Sequence, residues 1–272
     1  ADKANGIKKI AVLRADVDNL GTTFVSGFRR GEDDRYETLS RTATLSRQLS
    51  LFFKGYINTI LKNGEQSMFA DAGARNVLIV YSGGDDVFLA GAWNEVISAF
   101  CDIRKALERF SLGSLTISGG ISVYDPSYPI NVMANETQML EDLSKKIDNK
   151  NAITLWNEDH SYPWSEFLEK VIAEKMQMID SYFTNNKNRG MSFLYHLTEL
   201  LRENREQIHI ARYVYLLSRM EPDEKSPATV KAEYRQFSEK MYLWSQNSKD
   251  RQELITAIYL YVYLHRTEEK GE

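Results

Sequence analysis

The chain has 272 residues, 43% of them hydrophobic and 26% charged, so it can bury a sizeable core and is not globally disordered. Its net charge of −4 excludes a whole-surface nucleic-acid binder and leaves room only for a local basic patch. A single cysteine, Cys101, excludes an internal disulfide and a cysteine-rich zinc site. The first residues, ADKANGIKK, hold no apolar signal core, and no apolar run approaches the roughly 20 residues that a membrane span needs. These features predict a soluble, cytoplasmic protein with no membrane partner. A strand-like run starts as early as Ile7, as expected of a piece of a longer chain.

The segment 7–15 (IKKIAVLRA) is short and aliphatic, which predicts a buried strand ending at Asp16. Gly21, Gly27, Gly31 and the charged run RRGEDDR predict a turn and loop over 21–34. Leu45, Leu49, Phe52, Tyr56 and Ile60 recur every three to four residues, one face of a long helix over 36–61 that Asn63 and Gly64 end. After a loop, 77–82 and 87–91 read as two strands of a hairpin turned by Gly83 and Gly84. A second amphipathic helix follows over 93–110. The strand 115–124 contains Gly119 and Gly120, which mark a bulge or a close approach. A helix over 131–147 and a short strand over 152–156 complete the order β-α-β-β-α-β-α-β, whose first six elements match the split βαβ, ferredoxin-like arrangement. Beyond Pro163 only helical patterns occur, over 163–183, 190–203, 205–220, 228–246 and 249–266. The prediction is an α+β protein: a palm over 1–160, joined near His160–Trp164 to an all-helical domain over 161–272.

Two acidic clusters carry the chemistry. Asp16-Val17-Asp18 ends the first strand, and Gly83-Gly84-Asp85-Asp86 sits at the hairpin tip. Carboxylates at strand ends and hairpin tips can converge without deep burial. Hard cations such as Mg²⁺ prefer oxygen ligands, and two of them ~3.5–4 Å apart activate an attacking hydroxyl and stabilise a leaving pyrophosphate. Aspartates packed this closely repel one another unless a divalent ion removes the cost. A lone GGDD is weak evidence, because Asp and Gly dominate turns for local reasons. Flanked by apolar strands and preceded by a DxD on a separate strand, it becomes specific. Asp16, Asp85 and Asp86 therefore read as the metal-binding, catalytic centre of a nucleotidyl cyclase or polymerase palm.

The segments 12–28 (VLRADVDNLGTTFVSGF) and 81–91 (YSGGDDVFLAG) resemble the large subunit of type III CRISPR effector complexes, the CRISPR polymerase, most closely in its type III-A branch. The similarity extends through 118–130 and 144–156, and the helical tail is similar to that subunit's C-terminal domain. The resemblance implies a palm, like those of GGDEF cyclases, that converts ATP into cyclic oligoadenylates with 3′–5′ linkages and release of pyrophosphate. It implies a two-metal site for Mg²⁺ or Mn²⁺, activation by target RNA, and products that signal to separate effectors. The implied partners are the other subunits of the complex, crRNA and target RNA indirectly, and the first palm of the same subunit.

Residue roles follow from the same resemblance. Asp16, the Val17 carbonyl, Asp85 and Asp86 would hold metal. Asn19, Leu20 and Gly21 would present backbone N–H groups to phosphates, and Ser82, Gly83 and Gly84 would line the nucleotide. Lys146 and Lys150 share the spacing of the cyclases' K-x-x-G-R segment and would contact the triphosphate, with Asn149 in place of its glycine and Lys150 in place of its arginine. Asp18 ranks below Asp16 as a ligand, a base contact or a structural cap. The subunit's HD nuclease, first palm and zinc segment have no counterpart here, so no DNase activity is assigned, and the palm in isolation lacks its partner.

Other conspicuous residues have plainer readings. His160, His196, His209 and His265 read as surface or core residues, and Cys101 as a small core residue. Tyr213, Tyr215, Tyr259, Tyr261 and Tyr263 read as packing. Arg202, Arg205, Arg212 and Arg219 read as a solvated helix face rather than a contact for RNA or a neighbouring subunit. Phe24 and Phe28 fit an adenine pocket or core packing. Two competing functions remain. A diguanylate cyclase is disfavoured because its DIDxFK pattern is replaced by Asp16-Val17-Asp18-Asn19-Leu20-Gly21 and its GGDEF by GGDDV. A degenerate scaffold palm has no need to keep three metal-site carboxylates.

Overall fold

The computed structural model describes residues 1–29, 35–185, 191–202 and 207–266, so Gly31 and Arg205 lie outside the described residues. The chain divides into two compact units, Ala1–Trp164 and Ser165–Glu272.

The first unit is built on a six-stranded sheet. Its centre is β1 (Ile10–Val17), whose aliphatic run is buried almost throughout. β1 pairs antiparallel with β3 (Asp86–Ala92) on one side and with β4 (Ile117–Tyr124) on the other. β2 (Val77–Gly83) flanks β3, so the first four strands have the ferredoxin-like order, as expected. β5 (Ala152–Leu155) joins β4 in parallel. β6 (Ser161–Pro163) adds an edge that sequence patterning missed, since three residues ending in proline carry no strand period.

Helices cover both faces. α4 (Trp93–Ser111) buries Trp93, Val96, Ile97, Phe100 and Ile103 on one face. Beside it α2 (Leu39–Leu51) passes through a π-helical turn, Phe52–Tyr56, into α3 (Ile57–Lys62). α5 (Ile130–Ser144) lies on the opposite face. The glycine pair of β4 explains how. A Cβ at Gly119 would strike Ala15 and Phe100 on the α4 side, and one at Gly120 would strike the backbone of Leu140 and Glu141 in α5. The β1–β4 register is unbroken from Ile10↔Tyr124 to Val17↔Ile117, so these glycines serve close approach rather than a bulge. The bulge lies in β2, between Ile79 and Tyr81.

One expectation fails outright. The loop predicted from residue 21 begins as a helix, α1 (Leu20–Ser26), nucleated after Asn19 by the Thr23 N–H donating to the Asn19 carbonyl at 3.0 Å. Gly21 was read as a breaker, but one glycine in a first turn costs only about 1 kcal/mol.

The second unit is helical, as expected, from α6 (Trp164–Glu166) through a ten-residue π-helical segment, Phe167–Met176, into α7 (Gln177–Asn185). α8 (Ser192–Arg202), α9 (Gln207–Ser218), α10 (Ala228–Gln246) and α11 (Ser248–His265) follow. The rings of Tyr182 and Phe237 stack at 4.0 Å in its core. Lys175 is fully buried there, donating to Glu253 at 2.6 Å and Asp250 at 3.0 Å, with the Trp244 ring 5.0 Å from its ammonium. Lys175→Met would leave Glu253 buried without its cation. The expected cost is about 3 kcal/mol of stability, read as a lower denaturation midpoint. An unchanged midpoint would show that the pair contributes nothing net.

Tyr213 is buried and donates to the Met241 carbonyl, whereas Tyr215, expected in packing, is 66% exposed. Arg212 and Arg219 are exposed, and Arg202 lies over the Tyr259 ring. His160 is buried against Trp156, His196 is exposed beside Glu199, and His265 stacks on Tyr261. Burial pushes the Cys101 thiol up to about 12, which makes it inert. Among the described residues no helix is long and apolar enough to cross a membrane.

Candidate active site

The end of β1 and the β2–β3 hairpin meet at one edge of the sheet. Asp16 stands opposite Asp86 on β3 and Ser118 on β4. The hairpin turns in two residues, Gly84 and Asp85. Gly84 has φ +40°, the positive value that such a tight loop needs at its first position, and nothing lies within 4 Å of where its Cβ would stand. The Val17 N–H donates to the Asp85 carbonyl at 3.1 Å, which fastens the hairpin tip to the DxD segment.

The electrostatics follow from this crowding. Burial raises the Asp85 carboxyl above its ordinary range, and the charges of Asp16 and Asp86 raise it further. Burial and the Asp16 charge do the same to Asp86. The donors are all oxygen and carry more negative charge than their surroundings balance, so in chemistry and charge they suit a hard divalent cation. Among the described residues, however, no three His, Cys, Asp or Glu side chains stand close enough to hold one ion. The Asp16 carboxylate is instead held by Lys145, whose ammonium donates to it at 2.6 Å and to Glu141 at 2.7 Å. Burial opposes the Lys145 charge, but the two carboxylates outweigh it and hold the ammonium above its ordinary value.

Lys145 was not foreseen. Motif spacing selected Lys146, which is exposed at the end of α5. Helical phase is the signal for Lys145, which lies four residues after the buried Glu141, on the face of α5 turned to β1. Arg14 of β1 completes this cluster at 3.5 Å from Glu141. Lys150 does reach the site, donating to the Asn19 side chain at 2.7 Å. Asn19 has a left-handed backbone, φ 54°, at the start of α1; Leu20 behind it is buried and Gly21 is exposed.

Tyr81 was also missed. The bulge after Ile79 switches it to the face of Phe88, its cross-strand neighbour, so that it sits on the same side of the sheet as Asp16. There its hydroxyl opposes the rise of the Asp86 carboxyl, and its ring occupies the space where a side chain at Gly83 would stand. Ser82 faces the other way, its hydroxyl donating to the Phe53 carbonyl, so it braces β2 against the π turn. Asp18 is buried and works inside the fold, accepting from the Thr116 hydroxyl at 2.8 Å and the Asn151 N–H at 3.0 Å. Phe24 and Phe28 are half-buried.

Comparison with known proteins adds to this geometry. The family profile "Cas10/Cmr2, second palm domain" matches residues 9–154, and "CRISPR RNA silencing complex Cmr2 subunit, second helical domain" matches 180–267. The chain is 43% identical over 270 residues to the CRISPR system single-strand-specific deoxyribonuclease Cas10/Csm1 (subtype III-A) of Mycobacterium tuberculosis, covering 98% of this chain and 33% of that protein. It is 46% identical over 258 residues to the protein of the same name from Enterococcus italicus, covering 95% and 30%. The chain thus spans about a third of the length of these relatives. Among solved structures, a Csm1–Csm4 cassette in complex with cA4 superposes with a TM-score of 0.67 at 22% identity, covering 96% of this chain and 37% of that one. A Csm1–Csm4 cassette in complex with one ATP gives 0.65 at 21%, covering 97% and 37%. At that identity the structures establish a shared fold.

Proposed function

The chain belongs to the Cas10/Cmr2 family, and from that premise we propose that it is the cyclase part of a type III CRISPR large subunit, joining ATP into cyclic oligoadenylates with 3′–5′ linkages and release of pyrophosphate. The palm is read as residues 1–160 and the helical domain as 161–272. The observation that carries the reading is the convergence of Asp16, Asp85 and Asp86 on one sheet edge, fastened by the Val17–Asp85 hydrogen bond. Relatives whose structures hold ATP or cA4 support it. The deoxyribonuclease activity in the relatives' names belongs to those longer proteins and is not transferred.

In this mechanism Asp16, the Val17 carbonyl, Asp85 and Asp86 would hold Mg²⁺ or Mn²⁺. When bound, the ions supply activation of the attacking ribose hydroxyl and charge neutralisation at the leaving pyrophosphate. The remaining work falls to the chain. Lys145, held between Asp16 and Glu141, would add positive charge toward the triphosphate. Lys150 and Lys146 add charge along it, and the backbone N–H groups of Asn19, Leu20 and Gly21 bind its oxygens. Gly84 leaves the hairpin tip bare for the nucleotide, and Gly83 makes room for the Tyr81 ring beside it. Ser82 supports that hairpin from behind.

The proposed partners are the other subunits of a type III complex, among them a Csm4-like protein, with crRNA and target RNA reached through them, in the cytoplasm. The first palm of the same subunit would cover the open face formed by Leu78, Tyr81, Phe88 and Ala90, where Leu78 is 67% exposed. A scaffold role draws on one observation, the Lys145 ammonium occupying Asp16. Titration with Mn²⁺ and ATP or GTP, followed calorimetrically, separates the readings. The cyclase reading expects Mn²⁺-dependent ATP binding well above that of GTP. Preference for GTP would indicate the diguanylate cyclase, and no nucleotide or metal binding would indicate the scaffold. Lys145→Ala should weaken ATP binding about tenfold, the worth of one charge-assisted hydrogen bond. Unaltered affinity would remove Lys145 from the triphosphate.

A further inference from the structure

Three consecutive residues after α5, Asn149, Lys150 and Asn151, have left-handed backbones with φ of 64°, 52° and 49°. Residues with side chains adopt that region singly and rarely, so a run of three persists only where its surroundings hold it. One restraint is the Lys150 N–H, which donates to the Ile147 carbonyl at 2.8 Å, and the others lie on Asn151. Its N–H donates to Asp18 at 3.0 Å, and its carbonyl accepts from the Trp164 N–H at 2.9 Å. Asp18 is itself fixed, its N–H donating to the Thr116 carbonyl at 2.9 Å and its carboxylate accepting from the Thr116 hydroxyl. Its second carboxylate oxygen is buried and, among the described residues, has no hydrogen-bond partner. An unmatched, buried acceptor is kept against its desolvation cost. The left-handed run has one evident consequence: it returns Lys150 across the edge of the sheet to Asn19, at 2.7 Å.

We infer that Asp18 is a positioning residue for Lys150, holding the left-handed turn that aims this lysine at the phosphate-binding segment Asn19–Gly21. The inference rests on the proposed nucleotide site and adds a residue that acts only through another. Asp18 touches neither nucleotide nor metal. The DxD segment then has two jobs, with Asp16 facing the open edge and Asp18 facing inward to set the basic turn.

A thermodynamic cycle tests it in the full-length subunit, with ATP affinity measured calorimetrically in Mn²⁺. Lys150→Ala is expected to weaken ATP about tenfold. Asp18→Ala should weaken it several-fold, and the double variant should bind no more weakly than Lys150→Ala alone. Asn149→Val strains the same turn from an exposed position and leaves the core intact, so it should behave as Asp18→Ala does, and it serves if Asp18→Ala does not fold. Asp18→Asn keeps an acceptor for the Asn151 N–H and should bind ATP within about twofold of the parent. Losses that add in the double variants, or a loss in Asp18→Asn as large as in Asp18→Ala, would overturn the inference. An unchanged affinity in Lys150→Ala would instead overturn the nucleotide site on which it rests.

Discussion

Replacing Asp85 and Asp86 together by alanine should lower cyclic product by at least about a thousandfold in the assembled complex, the worth of several kcal/mol of metal-borne charge stabilisation. The same variant should fold at least as well as its parent. Both carboxyls are pushed up by burial and by the charge of Asp16, so the native fold bears a repulsion that the variant relieves. Function and stability thus move in opposite directions, a signature that a structural role does not give. Product yield read by mass spectrometry and a denaturation midpoint read by circular dichroism check the two halves. Undiminished product would remove these aspartates from the catalytic centre.

Gly120→Val should destabilise the first unit by about 3 kcal/mol. A side chain there meets the backbone of Leu140 and Glu141, which cannot move without lifting α5 from β4. That shift also carries Glu141 and Lys145 away from Asp16, so ATP binding should fall along with stability. Gly55→Ala is the control, because nothing stands within 4 Å of its added Cβ. Equal denaturation midpoints for the two variants would show that α5 has room to adjust.

The acidic centre was legible in the sequence because its signals are local. An aliphatic run predicts β1 and places Asp16 at its end, and Gly83-Gly84 between apolar runs predicts the hairpin that presents Asp85 and Asp86. What stayed hidden depends on register and helical phase. Tyr81 reaches the Asp86 side only because of a one-residue bulge, which leaves no mark on the alternation of β2. Motif spacing points to Lys146 and is silent on Lys145, which the buried Glu141 turns inward. Ser82, next to Tyr81, faces the π turn for the same reason of register. The π segments at Phe52–Tyr56 and Phe167–Met176 follow from tertiary packing, since the apolar period of a π turn cannot be told from that of an α-helix over so few residues. Glycines misled in one place and informed in another. Gly21 reads as a turn and sits in a helix, while Gly119 and Gly120 read as a bulge or a close approach and serve the second.

The most direct test of the cyclase reading is to incubate the full-length subunit, assembled with its partner subunits and target RNA, with ATP and Mg²⁺ or Mn²⁺, and to identify the products by mass spectrometry. The expected products are cyclic 3′–5′ oligoadenylates with release of pyrophosphate, and none from the Asp85→Ala, Asp86→Ala double variant. ATP left intact by an assembled complex that binds it, or the same products from the double variant, would contradict the cyclase reading.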